Sequence, residues 1–224
     1  MLVTIYNTIR NRQKELFRQL GLSKENVPVL GAAEAPEHKP EMLMIGCVDA
    51  RLNLKDDVGI PDGKALIYRN IAAMVPHNFD EESGKGVAAA LEFAIDKMHV
   101  KRIVVMGHTH CGGIAACLTG DHEHTHHIRN YLAPLEVVRE EAVGKGETLE
   151  EQARDMERAA VCQSLENLKS YGVVRRAVEE RQLILEGWII DTGSKLIWEH
   201  NPNTGEFVPM GLPMQAQDRV GNSA

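Results

Sequence analysis

The chain is poor in aromatic residues, with two Trp, four Tyr and four Phe in 224 positions. Its core must therefore be built from aliphatic side chains and alanine, and an apolar content of 43% is enough to supply one. There is no basic excess: the net charge of -7 excludes the positive footprint expected of a nucleic-acid binder and favours solubility. No apolar run approaches the ~18–20 residues that span a bilayer. Met1–Tyr6 has no charged-then-apolar leader, so a soluble, cytoplasmic protein with no membrane partner is expected. Four cysteines without a Cys-x-x-Cys pair are neither a disulfide framework nor a dithiol redox motif.

Several short segments carry fold signals. Met42–Gly46, Ala65–Tyr68 and Ile103–Met106 are apolar runs of strand length, as suits strands buried on both faces of a parallel sheet. Between the second and third, Val87, Leu91, Ala94, Ile95 and Met98 follow helical spacing behind a candidate cap at Ser83. Strand–helix–strand order predicts right-handed crossovers. Helices are expected at 3–20, 128–142, 149–170 and 173–181. A further strand covers Leu183–Leu185 and Trp188–Ile190, and a turn at Asp191–Ser194 leads to a last strand, Lys195–Glu199. Residues 27–40, with Pro28, Pro36 and Pro40, read as a connector, and the C-terminal tail 201–224 as extended. One domain, 1–224, is expected. Its N-terminal helical arm, 1–26, has a thin apolar stripe (Ile5, Ile9, Leu16, Leu20) broken at Gln13, which predicts packing on a partner subunit.

Two motifs carry the chemistry. Cys47-Val48-Asp49-Ala50-Arg51 follows the first strand. His108-Thr109-His110-Cys111-Gly112-Gly113 follows the third and opens a helix. In open parallel sheets ligands gather beyond the carboxyl ends of the strands. Two cysteines and one histidine are a recognised catalytic zinc set that leaves a fourth position open. Cys47, His108 and Cys111 are therefore the predicted Zn2+ ligands. Cys117 and Cys162 are expected to pack in the core.

These motifs, together with Tyr68-Arg69-Asn70-Ile71-Ala72 and Glu186-Gly187-Trp188, resemble the β-class carbonic anhydrases over about residues 35–200. The resemblance implies an α/β fold: a mostly parallel four-stranded sheet with an additional edge strand, flanked by helices. It implies zinc on Cys47, His108 and Cys111, Asp49 and Arg51 as a catalytic dyad, and sites built at the interface of a homodimer or dimer of dimers. The expected reaction is hydration of CO2 to bicarbonate by a zinc-bound hydroxide. Asp49 would orient the hydroxide, and Arg51 would hold Asp49 off the metal. Asp49 closing the metal site would instead give a non-catalytic zinc domain. Substrate-pocket candidates are His38, Leu66, Ile71, Phe93 and Gly112.

The sequence departs from the family pattern at several of these places. His38 stands where a glutamine is usual, and Phe93 where a tyrosine is usual. Met44 and Ile190 replace the tryptophan and tyrosine that help a regulated subset bind bicarbonate beside Arg69. The drier pocket raises a second reading, hydrolysis of carbonyl sulfide or carbon disulfide on the same zinc site. His122, His124, His126 and His127 are expected in a solvated loop, and His77 and His110 are candidate proton shuttles.

Overall fold

The computed structural model describes residues 2–78, 84–121, 124–181 and 183–211. Ser83, His122 and the tail beyond 211 lie outside the described residues. Four strands, β1 (Met42–Cys47), β2 (Ala65–Asn70), β3 (Arg102–His108) and β4 (Ile184–Ile190), pair in parallel in the order β2-β1-β3-β4. β5 (Ile197–His200) and β6 (Phe207–Pro209) extend the sheet antiparallel beyond β4. The helices are α1 (Leu2–Gln19), α2 (Leu54–Asp57), α3 (Lys85–Glu92), α4 (Gly112–Thr119), α5 (His126–Leu132), α6 (Glu136–Ala142), α7 (Leu149–Leu168) and α8 (Gly172–Arg181). Among the described residues no helix is long and apolar enough to cross a membrane.

The chain forms two compact units, Met1–Glu37 and His38–Ala224. The first contains α1, on which Ile5, Tyr6, Ile9 and Phe17 are exposed, as is Leu20 just beyond its end.

In the second unit β1 and β3 are flanked on both sides, and each is buried over nearly its whole length, which explains their continuous apolar runs. Alternate residues feed two cores. Met44, Val104, Met106, Trp188 and Ile190 pack with α4, α5, α6 and the first half of α7. Leu43, Ile45, Ile103, Val105 and Ile189 pack with α3, α8 and the second half of α7. Helix α7 begins with a capping box, in which Thr148 accepts from the Glu151 amide and Glu151 accepts from the Thr148 amide, so the charged first turn is a start signal.

α7 reaches both cores because the sheet beneath it is bare. A Cβ on Gly107 would lie 2.6 Å from Val161 Cγ2, and one on Gly187 would lie 2.8 Å from both Val161 and Leu165. Gly187→Ala is expected to cost about 1–3 kcal/mol by overpacking, read as a lower urea midpoint at unchanged slope.

Several expectations are corrected. The helix predicted over 128–142 is broken at Ala133–Leu135 into α5 and α6, because Pro134 has no amide hydrogen and its ring crowds the preceding turn. His126 and His127 begin α5 rather than lying in a loop, although they and His124 are exposed. The helix predicted through Met98 leaves α-geometry after Glu92 and closes in a wider π turn, Phe93–Lys97. The strand predicted over Lys195–Glu199 is β5, which starts at Ile197, because Lys195 has φ of 62°, outside the β region. The expected extended tail contains a sixth strand, β6. Cys117 is fully buried as expected, whereas Cys162 is only half-buried.

Candidate metal centre

Cys47 ends β1 and His108 ends the neighbouring β3, so sheet pairing alone brings the two side by side. Cys111 follows after a sharp turn in which His110 has φ of 59°, and it sits at the mouth of α4. The exposures of Cys47, His108 and Cys111 are 4%, 2% and 3%. Their Sγ, N and Sγ atoms all lie within 4.8 Å of one another. The two sulfurs are 4.0 Å apart, close to the separation of about 3.8 Å that tetrahedral zinc with Zn–S bonds of about 2.3 Å would impose.

The histidine is oriented for ligation. His108 Nδ1 lies 3.0 Å from the Thr109 carbonyl oxygen, to which it is placed to donate. That bond sets the tautomer and leaves Nε2 as the lone-pair nitrogen. Nε2 is buried and has no hydrogen-bond partner among the described residues. An orphaned acceptor between two thiols is costly as a core element and natural as a metal ligand. The thiol pair is equally suited. The hydrogen bond from Cys111, against the opposing effect of burial, pulls the Cys47 thiol below its ordinary value, while the same pairing and burial push Cys111 up. The pairing eases ionisation at Cys47, and metal binding requires thiolates. The donor set fits a metal ion.

Beside the cluster stands a carboxylate held in a fork. Asp49 Oδ1 accepts from Arg51 Nε and from the Arg51 amide, both at 2.9 Å, and Oδ2 accepts from Arg51 Nη2 at 2.7 Å. Arg51 Nη2 also donates to the His110 carbonyl at 2.8 Å. Asp49 Oδ2 is 3.9 Å from His108 Nε2. The Arg51 bond, partly opposed by desolvation, holds the Asp49 carboxyl well below the usual carboxylate range. Asp49 is therefore an ionised acceptor at the rim, with Oδ1 taken up by two bonds from Arg51 and Oδ2 by one, which leaves Oδ2 able to accept another.

Three supports escaped the sequence reading. Arg69 donates to the Cys47 and Asp49 carbonyls at 2.8 and 2.7 Å. Glu157 of α7, 3% exposed, accepts the Cys111 amide at 2.9 Å and pairs with Arg154 at 3.0 Å. Thr109 donates its hydroxyl to Asp191 at 3.0 Å and accepts the Thr192 amide at 3.0 Å. Glu157 sits within a charged stretch that carries no signal of burial, and the Thr109 contacts span more than eighty residues, so local patterns could not expose either.

The pocket candidates do not all gather here. Ile71 lies close, since a Cβ on Gly113 would meet its Cγ2 at 2.7 Å. Gly112 is exposed and faces open space. Leu66 packs with the core on the opposite face of the sheet, Phe93 is 45% exposed on the turn after α3, and His38 is exposed. Met44 and Ile190 are fully buried in the core. His110 lies 3.5 Å from Glu150.

Comparison with known proteins agrees with this geometry. A family model described as carbonic anhydrase matches residues 42–197. The chain is 33% identical over 185 residues to beta carbonic anhydrase 3 of Arabidopsis thaliana, covering 78% of this chain and 70% of that one. It is also 33% identical over 180 residues to carbonic anhydrase 1 of Escherichia coli O157:H7, covering 79% and 80%. In fold it matches the beta-carbonic anhydrase CcaA with a TM-score of 0.72 at 22% identity over 93% of this chain and 97% of that one. A tetrameric beta-carbonic anhydrase from the filamentous ascomycete Sordaria macrospora gives a TM-score of 0.69 at 24% identity over 95% and 99%. With Cys47, His108 and Cys111 gathered at the ends of adjacent parallel strands and a match across most of the length of these relatives, the chain belongs to the β-class carbonic anhydrase family.

Proposed function

We propose that this protein is a zinc enzyme that hydrates CO2 to bicarbonate. The observation that carries the reading is the orphaned His108 Nε2 between two buried cysteines, 3.9 Å from a carboxylate locked by arginine. Zinc bound by Cys47, His108 and Cys111 would supply Lewis acidity, making a water ionisable near neutral pH.

The chain's own residues do the rest. Asp49 accepts a hydrogen bond from the attacking oxygen and turns its lone pair toward the substrate carbon. Arg51 keeps Asp49 ionised and aimed, through paired bonds that a single-point cation could not reproduce. The reaction consumes water and releases a proton, so ionisation at the site must be followed by proton transfer to solvent. His110, on the ligand turn and 54% exposed in its side chain, is a candidate carrier.

A second copy of the chain completes the site in this reading. Leu66 and Phe93 lie away from their own cluster, and the apolar side chains exposed along α1 need a cover. A dimer or dimer of dimers supplies both, and the tetrameric solved relative supports such an assembly.

Phe93 offers no hydroxyl to a substrate, which favours apolar triatomic molecules generally and keeps carbonyl sulfide hydrolysis as the second reading. One preparation distinguishes them. Zinc-loaded protein should hydrate CO2 in a stopped-flow indicator assay, lose that activity on chelation and regain it with Zn2+. Turnover of carbonyl sulfide without CO2 hydration would overturn the first reading.

A further inference from the structure

We propose that Lys195 is a positioning residue: the β4–β5 turn acts as a buckle that fixes the Asp49–Arg51 loop from the far end of the chain. This rests on the reading of Asp49 and Arg51 given above. Lys195 Nζ donates to the Arg51 carbonyl at 2.8 Å and to Asp57 Oδ2 at 3.2 Å. Asp57 Oδ2 in turn accepts the Asn53 amide at 3.0 Å. One ammonium therefore ties together both ends of the segment between Arg51 and α2.

The contact is built rather than incidental. Lys195 adopts φ of 62°, a left-handed conformation that costs a side-chain-bearing residue energy. Its amide donates to the Asp191 carbonyl at 2.9 Å. Asp191 Oδ1 accepts from the Gly193 and Ser194 amides and from the Ser194 hydroxyl. The backbone and side-chain bonds from Ser194 hold the Asp191 carboxyl down to about 2. The turn is thus rigid, and the strained residue at its end projects its side chain onto Arg51.

The same turn grips the other ligand loop. Thr109, next to His108, bonds to Asp191 and Thr192. The Thr109 carbonyl contacts both His108 Nδ1 and the Thr192 hydroxyl. One five-residue turn therefore sets the relative placement of the loop bearing Asp49 and Arg51 and the loop bearing His108. Without Lys195 the Arg51 backbone would lose the bond at its carbonyl and retain that of its amide to Asp49 Oδ1. A loose Arg51 aims Asp49 poorly, and small misplacements at a reacting centre are costly in rate.

The test uses the full-length, zinc-loaded protein carrying Lys195→Met, which keeps chain length and removes the ammonium, and Lys195→Gly, which also relieves the left-handed backbone. Both should lower kcat/KM for CO2 hydration about ten-fold. Amide exchange should accelerate across residues 48–57 and stay unchanged in β3. In an Arg51→Gln background, Lys195→Met should cost nothing further, because Lys195 acts through Arg51. Equal, additive losses in both backgrounds would overturn the proposal by showing a purely structural role, as would unchanged exchange in 48–57. If the wild-type protein turned over neither CO2 nor carbonyl sulfide, the functional reading would fail, while the exchange measurement would still decide whether Lys195 holds the loop.

Discussion

Arg51→Gln should lower kcat/KM for CO2 hydration by on the order of 100-fold while zinc content and secondary structure stay near wild type. The expectation follows from what Asp49 has left. In the native loop its two oxygens take three bonds from Arg51, two from the guanidinium and one from the backbone amide. Glutamine keeps only the amide bond. The carboxylate then has freedom to rotate toward the ligand cluster, from which Oδ2 is only 3.9 Å away at His108 Nε2. A carboxylate that reached a metal held by Cys47, His108 and Cys111 would compete with the water that the proposed reaction needs. Arg51→Lys restores charge but not the planar fork, so it should recover only part of the loss. Stability should hardly change, because Arg51 is half exposed in its side chain and exposed ion pairs contribute little. That small contribution is present above about pH 4, the ordinary aspartate value, and disappears as pH falls toward the depressed native value of Asp49. An Arg51→Gln enzyme with full activity would remove Asp49 orientation from the mechanism.

Glu157→Leu should show the largest stability loss of the single changes considered, about 3 kcal/mol, together with weakened zinc retention. Glu157 is 3% exposed and serves two donors, the Cys111 amide and Arg154. Burial pushes its carboxyl up, against the opposing pull of those donors. Arg154 Nε and Nη1 already lack hydrogen-bond partners among the described residues. Removing Glu157 therefore strands a largely buried guanidinium and an amide at the mouth of α4. The residual exposure of Arg154, 22% of its side chain, admits some water and keeps the cost near the lower end of the range for broken buried pairs. Glu157→Gln keeps an oxygen for the Cys111 amide, so it should retain zinc better than leucine while losing part of the stability. Urea midpoints and zinc content after dialysis read both effects. A leucine variant with the wild-type midpoint would show that the Glu157–Arg154 pair contributes no net stability.

Much of this arrangement was legible in the residues themselves. β1, β3 and the clustering of Cys47, His108 and Cys111 announce themselves because burial on both sheet faces forces uninterrupted apolar runs, and because donors placed just beyond such strands have a chemical reason to be there. The short edge strand β6 was not legible: three residues ending in Pro209 carry no period. The break at Pro134 was written in the sequence and was overridden by the apolar pattern on either side. Lys195, Glu157 and Thr109 escaped for a different reason. Each acts across the fold, and the left-handed backbone at Lys195 follows Gly193-Ser194 with no glycine of its own to mark it. Leu66 and Phe93 illustrate a third limit, since resemblance assigns them to a pocket that their own chain does not bring to the triad.

The triad also records the order of assembly. Cys47 and Cys111 are 64 positions apart, and between them the chain must make β2, cross over through α3 and return as β3. Parallel neighbours of this kind close long loops before any contact stabilises them, which slows folding. The buried arrangement of the cluster requires β1–β3 pairing, because Cys47 ends one strand and Cys111 lies three residues beyond the end of the other. A zinc-sensitive dye followed during refolding would thus time the docking of two specific strands, and zinc present from the start would trap that pairing once formed.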